Sequence, residues 1–243
     1  MSLLTRWDED PSRPRAVDVV RDVAVRAVLP AVPWFTLVVT VGLVIMGPLR
    51  GLEAENAVNR WFQARRTPTG ETLTLVMSSA GNTEYVVAMG VLVALLVAWR
   101  TRAWWFALVP LVSISVQATG FVLAAAVVGR GRPPVERLDP TPPTSSYPSG
   151  HVGASTALYV SFALMATRIR HDGVRRLLVG LCALVPLLVA FARVYRGAHH
   201  VSDVVVALAN GLVCAVLGWC YLRRDTGSTG ETTPVAESAQ SRA

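Results

Sequence analysis

The chain has 243 residues, of which 52% are hydrophobic and only 16% charged, with a mean hydropathy of +0.44. A soluble domain carries about a quarter charged residues; here the deficit is concentrated in recurring uncharged apolar runs, which excludes an ordinary soluble domain and a disordered chain and leaves a polytopic helical membrane protein. The formal net charge is +7 and all 23 basic residues are arginine; in a membrane protein that balance concerns orientation and anionic headgroups, not nucleic acid.

The chain opens on polar and acidic residues (Asp8, Glu9, Asp10), without the basic segment and short apolar core of a signal peptide. Residues 16–29 predict a helix ahead of the first span. Six spans are expected, over residues 31–49, 85–99, 103–129, 152–167, 177–192 and 204–222. Crossing a core of about 30 Å takes roughly 20 apolar residues, which the first, third and sixth runs supply. The fourth and fifth rise only about 24 Å each and span only if their polar flanks enter the membrane or its interface. Between the first two spans, residues 51–66 place Ala54, Ala57, Val58, Trp61 and Phe62 on one face, an amphipathic helix lying on the outer surface. Residues 223–243 are polar and read as a disordered tail. Cys182, Cys214 and Cys220 lie in apolar runs as small buried hydrophobes, with no disulfide framework or metal cluster. The fold class is therefore all-α: a polytopic bundle of six transmembrane helices with an outer-surface amphipathic helix, divided as 1–29, 30–222 and 223–243.

Orientation follows from the arginines. With both termini inside, 14 of the 23 fall on the cytoplasmic side, the sign that the positive-inside rule requires. Trp34, Trp99, Trp104, Trp105 and Trp219 then fall at inner ends of spans, as an interfacial belt would.

Three polar blocks border the spans, all at the outer face in this topology. Gly129-Arg130-Gly131-Arg132-Pro133-Pro134 ends the third span, Ser145 to His151 opens the fourth, and Arg193 to Asp203 joins the fifth to the sixth. Charged side chains at membrane depth are costly and usually functional. Prolines between Pro133 and Pro148 stiffen the connection between the first two blocks. Converging guanidiniums suit a phosphate. Ser149-Gly150 opens a helix whose free N–H groups suit an anion. His199 and Asp203 are four apart, a spacing that puts both on one helix face, and a carboxylate behind an imidazole fixes its tautomer. His151 is then placed to protonate a leaving group. The set reads as phosphoryl transfer through histidine without a metal. Blander readings stand beside it: interfacial arginines snorkelling to headgroups, Asp203 as a helix cap, a structural His151, His200 as a packing or hydrogen-bonding neighbour, and Glu84 as an interfacial cap.

The three blocks resemble the tripartite signature of the type 2 phosphatidic acid phosphatase superfamily, whose fold is shared with vanadium-dependent haloperoxidases. Arg132-Pro133 matches the end of Lys-x6-Arg-Pro, Pro148-Ser149-Gly150-His151 matches the second motif in full, and Arg193, His199 and Asp203 match Ser-Arg-x5-His-x3-Asp with its spacing intact. Ala125 stands where the family has lysine, and Ala192 where it has the serine. The resemblance covers roughly residues 30–222. It implies a membrane phosphatase with His199, His151 and Asp203 catalytic and Arg132, Arg193, Ser149, Gly150 and Arg130 binding phosphate. Arg130 or Arg196 would replace the missing lysine charge. No cofactor or metal is implied, and the expected partners are a lipid phosphate substrate and membrane lipids, with no nucleic acid or obligate protein partner. The rival readings are a phosphotransferase using the same histidine and a catalytically impaired lipid-phosphate binder.

Overall fold

The structure is a computed structural model that describes residues 13–140 and 144–222; the N-terminal residues to 12 and the expected tail at 223–243 lie outside them. The described secondary structure is helical. In chain order the helices are α1 (Ala16–Met46), α2 (Asn56–Gln63), α3 (Pro68–Ser79), α4 (Thr83–Thr101), α5 (Trp104–Val128), α6 (Gly150–Ala166), α7 (Asp172–Tyr195) and α8 (Val201–Cys220). Five of them, α1, α4, α5, α7 and α8, are long and apolar enough to cross a membrane. The fourth expected span, α6, has 17 residues and rises about 25 Å. It sits at the centre of the bundle, packed against α5, α7 and α8, with Val152, Ala157 and Leu158 fully buried.

Several boundaries differ from the sequence expectation. The first helix runs unbroken through residues 29 and 30, with a π-helical segment at Ala24–Val28 just before Pro30, where a proline lacks the N–H of a regular turn. At 31 residues it is about 46 Å long, longer than the bilayer core. Trp34 is half-buried and donates from Nε1 to Asn210 Oδ1 of α8 at 3.0 Å. The fifth span reaches 24 residues because residues 172–176 and 193–195 are helical too, so its apparent shortness in the apolar run disappears. Cys220 is exposed and Cys182 only half-buried, while Cys214 is buried.

Helix α3 escaped the sequence reading altogether. Thr67 starts it, accepting from Gly70 N at 3.1 Å, and Pro68 occupies its first position; Thr-Pro is a readable start signal, but the segment carries no long apolar run. It packs along α7 and aims residues 78–82 at the polar end of the bundle. The amphipathic segment is a 3-10 turn (Arg50–Glu55) leading into α2. Asn59 is buried against the protein; of the apolar face, Val58 and Trp61 are exposed, while Phe62 packs against Phe191 and Tyr195 of α7.

Close helix contact depends on small residues. A Cβ at Gly211 of α8 would stand 2.6 Å from the Gly153 carbonyl oxygen of α6, so the two backbones meet where no side chain fits, as packing in lipid favours.

Candidate active site

The three sequence blocks converge at one end of the bundle, and backbone hydrogen bonds lace them together. Ser146 N donates to the Arg130 carbonyl at 2.8 Å, and Arg130 N donates to Ser145 Oγ at 3.0 Å. Ser146 Oγ donates to the Gly131 carbonyl at 2.8 Å. Arg132 Nη1 donates to the Ala198 carbonyl at 2.9 Å, joining the first block to the third. The turn between α7 and α8 passes through Gly197 at φ +72°, where a Cβ would lie 2.8 Å from Val135 Cγ2 and 2.9 Å from the Glu136 carbonyl oxygen. A glycine there permits both the left-handed backbone and the close loop.

His199 lies in that turn, 3% exposed. Its Nδ1 is 2.8 Å from the Ser146 carbonyl oxygen. A carbonyl only accepts, so Nδ1 carries the proton and Nε2 keeps its lone pair. Burial, reinforced by the charge of Arg193, pushes the imidazole pKa down to about 3 against the opposing pull of Asp203. The ring is therefore neutral at physiological pH.

Asp203 does not do what its spacing suggested. Helix α8 starts at Val201, after His199, so the pair is not on one helix face. The His199 Nδ1 to Asp203 Oδ2 distance is 3.9 Å, beyond a hydrogen bond. Asp203 instead caps its own helix, accepting from His200 N at 2.9 Å, with His200 Nδ1 3.2 Å from Oδ2 and Arg130 Nη1 2.6 Å from Oδ1. The tautomer of His199 is fixed by a main-chain carbonyl. His200 is a hydrogen-bonding neighbour, its Nε2 3.2 Å from Asn56 Oδ1.

Arg130 likewise departs from its expected role. Its Nη1 donates to Ser202 Oγ at 2.6 Å as well as to Asp203, and Nη2 donates to the Gly51 carbonyl at 2.5 Å and to Glu55 Oε2 at 3.2 Å. It is 3% exposed, lies off the cavity described below, and has these donors engaged by two carboxylates, a hydroxyl and a carbonyl. Glu55 completes the cluster by accepting from Ser202 N and Oγ at 3.1 and 2.8 Å. Arg196, the other candidate for the missing lysine charge, is similarly engaged: Nε and Nη2 donate to Asp139 at 2.8 and 2.5 Å.

The residues that remain form a cavity of about 250 Å³ lined by His151, Arg193, His199, Arg132, Gly150 and Asp139, among others. Its walls also include Ser78, Ser79 and Asn82 from the end of α3 and the turn after it, and Phe121 of α5. Arg193 Nη1 donates to Ser78 Oγ at 3.0 Å and to Asp139 Oδ2 at 2.9 Å. The Nε atoms of both Arg132 and Arg193 are buried and have no hydrogen-bond partner. Two buried guanidinium donors left unmatched at one polar cavity suit an anion. Burial alone would raise the Asp139 carboxyl, but the Arg196 hydrogen bond and the charges of Arg193 and Arg196 outweigh it and hold it below the usual carboxylate range. Asp139 therefore stays ionised and anchors Arg193 from one side.

Gly150 lines the cavity at the start of α6, whereas Ser149 stands behind it. Ser149 N donates to the Asp203 carbonyl at 3.2 Å, and its Oγ caps the helix by accepting from Val152 N. Its N–H is thus not free for an anion, and only the Gly150 side of the helix start faces the cavity. Glu84 is exposed in the first turn of α4 and stays outside it. Sequence reasoning missed Asp139, Ser78, Ser146 and Glu55. An acid between the two arginine-bearing blocks was a signal for Asp139; Ser146 acts through its main chain, which no residue type reveals.

Residues 107–226 match the family model described as the PAP2 superfamily. No curated protein matches the chain by sequence. Among solved structures, the chain is similar to a transmembrane PAP2-type phosphatidylglycerolphosphate phosphatase from Bacillus subtilis, at 18% identity over 79% of this chain and 93% of that one, with a TM-score of 0.68. It is also similar to Aquifex aeolicus LpxE, at 17% identity over 67% of this chain and 93% of that one, with a TM-score of 0.53.

Proposed function

We propose, on the premise that residues 107–226 belong to the PAP2 superfamily, that this chain is an integral membrane phosphatase acting on lipid phosphate or diphosphate monoesters of the polyprenyl diphosphate or phosphatidate type. The observation that carries the proposal is the cavity in which a neutral His199, its Nδ1 proton held by Ser146, meets two arginines with unmatched buried Nε donors. His199 Nε2 attacks phosphorus in line, forming a P–N bond as the P–O bond to the alcohol or phosphate breaks. His151, as the imidazolium that the bound phosphate anion favours, gives a proton to the departing oxygen and becomes neutral. Arg132, Arg193 and the start of α6 at Gly150 hold the equatorial oxygens, where charge must be stabilised. Water, losing its proton to His151, then cleaves the P–N bond and releases phosphate. Asp203 positions this machinery through His200 and Arg130 and makes no hydrogen bond to the nucleophile.

A cavity at the end of a membrane bundle favours substrates whose tails anchor the headgroup at that depth, and one similar structure is named a phosphatidylglycerolphosphate phosphatase. In this proposal guanidiniums supply the positive charge and no metal takes part. The test is phosphate release from a panel of lipid phosphates by purified protein in excess chelator. Activity is expected to survive, and vanadate, whose trigonal bipyramid mimics the in-line transition state, is expected to inhibit competitively. Activity lost to chelator and restored by one particular metal would overturn the metal-free route.

Both termini are cytoplasmic in this proposal and the cavity opens at the outer face. With the three native cysteines replaced, an Arg137→Cys protein is expected to react with a membrane-impermeant maleimide in intact cells. A Gly173→Cys protein is expected to react only after permeabilisation. The opposite pattern reverses the topology.

A further inference from the structure

Asn82 belongs to the turn between α3 and α4, outside residues 107–226, so the family match assigns it nothing. Its Oδ1 stands 3.1 Å from His151 Nε2, and Asn82 itself lines the cavity. The contact is built, not incidental. The preceding residue, Gly81, lies so close to His151 that a Cβ there would meet the His151 carbonyl oxygen at 2.8 Å and its Cβ at 3.1 Å. Beside it, Ser78 accepts from Arg193 Nη1. The end of α3 and the turn after it therefore touch both the acid histidine and a phosphate-binding arginine of the proposed reaction.

A histidine acting as general acid must present one N–H to the leaving oxygen and keep its ring fixed while doing so. With the ring doubly protonated beside the bound phosphate anion, an amide oxygen serves the second requirement by accepting from Nε2–H, while the Nδ1 proton passes to the leaving oxygen and leaves the ring neutral. Being neutral, the amide orients the ring without adding a negative charge beside an incoming phosphate, as a carboxylate would.

We infer that Asn82 is the positioning residue of His151, holding its ring so that Nδ1 delivers the proton to the leaving oxygen. This rests on the reading of the site as a phosphatase with His151 as acid. The consequence is a dependence on the leaving group. An alkoxide departs only with a proton, whereas 4-nitrophenolate departs without one, so a fault in proton delivery harms alkyl esters selectively.

The experiment compares kcat/KM, which covers bond cleavage up to loss of the leaving group, for dodecyl phosphate and 4-nitrophenyl phosphate with the full-length purified protein. Asn82→Ala is expected to lower the alkyl-to-aryl ratio by about 10-fold to 100-fold, a part of the 10²–10⁴-fold that general acids contribute. Its vanadate inhibition constant is expected to stay within about threefold of the parent, since His151 orientation does not bear on the arginines. Asn82→Asp keeps the acceptor oxygen and, by repelling phosphate, is expected to weaken both substrates alike, leaving the ratio within about threefold of the parent. His151→Ala serves as the reference and is expected to lower the ratio at least as much as Asn82→Ala. If His151→Ala lowers the ratio and Asn82→Ala harms both substrates equally, the positioning role is wrong while the phosphatase reading stands. If His151→Ala itself leaves the ratio unchanged, His151 is not the acid and the inference falls with that reading. Should Asn82→Ala fail to fold, Asn82→Leu, which keeps the size and removes the acceptor, takes its place: a lowered ratio supports the inference and a ratio within about threefold of the parent overturns it.

Discussion

Replacing His199 with alanine is expected to lower phosphate release by at least about 10³-fold, because removing a nucleophile removes the step that every later one depends on. The ring is prepared for attack by the fold: Ser146 holds the Nδ1 proton at 2.8 Å, and burial beside Arg193 keeps the imidazole neutral down to about pH 3. Its Nε2 lone pair is thus available at any working pH without a base to unmask it. The hydroxyls that share the cavity, on Ser78, Ser79, Thr144 and Ser145, have no such activation. Ser78 accepts from Arg193, and Ser145 Oγ is committed to the Arg130 and Tyr147 main chain. None takes over when the imidazole is gone. The substitution removes one hydrogen bond, to Ser146, so the protein is expected to stay folded, which circular dichroism and a thermal scan would verify. Rapid quenching of the parent with labelled substrate is expected to trap a phosphate label that alkali spares and acid removes, as a P–N bond requires. Retention of more than a tenth of the activity by folded His199→Ala, or an identical label on it, would rule out this nucleophile.

Replacing Arg130 with alanine is expected to act on the fold instead of on phosphate affinity. The substitution strips the guanidinium from between Asp203 and Glu55, whose carboxylates it bridges at 2.6 and 3.2 Å. The Asp203 side chain is fully buried and that of Glu55 is 18% exposed, so two negative charges are left facing each other with little water to screen them. Breaking a buried pair by removing one partner costs about 3–5 kcal/mol, enough to lower the thermal midpoint by roughly 10 °C in a chain of this size. The same cluster carries Ser202 and ties the 3-10 turn before α2 to the start of α8, so the loss spreads to the turn that holds His199. Vanadate affinity of the fraction that remains folded is expected to change by less than about threefold, whereas Arg132→Ala or Arg193→Ala is expected to weaken it by roughly tenfold or more, a hydrogen bond to a charged group contributing about 1.5–3 kcal/mol. A thermal midpoint unchanged in Arg130→Ala together with a large loss of vanadate affinity would return Arg130 to the phosphate.

Much of this protein was decided by the sequence alone. Uncharged runs separated by arginine-rich connections can only be membrane helices, because a bilayer core leaves backbone groups no partner but each other. The polar blocks at their ends marked a site, since a charge at that depth is too costly to be kept idle. The spacing of Arg193, His199 and Asp203 and the Pro148 to His151 run carried the family resemblance. What the spacing could not carry was the choice of partners. A spacing of four from His199 to Asp203 implies a shared helix face only if both are helical, and α8 begins two residues after His199 because Asp203 caps it from within. That one boundary transferred Asp203 to His200 and Arg130 and left the tautomer of His199 to a carbonyl from a different block. Arg130 and Arg132 look interchangeable as text, two residues apart in one block. The tertiary structure separates them, because Glu55 from the turn before α2 and Asp203 from α8 converge on one guanidinium, while the other keeps a buried Nε unmatched. Asn82 and Asp139 reach the site from a turn and a loop with no hydrophobic period to announce them. Periodicity reports which face of an element is buried; which side chain satisfies which charge is settled where distant segments meet, in a low-dielectric interior that leaves few alternatives to a correct pairing.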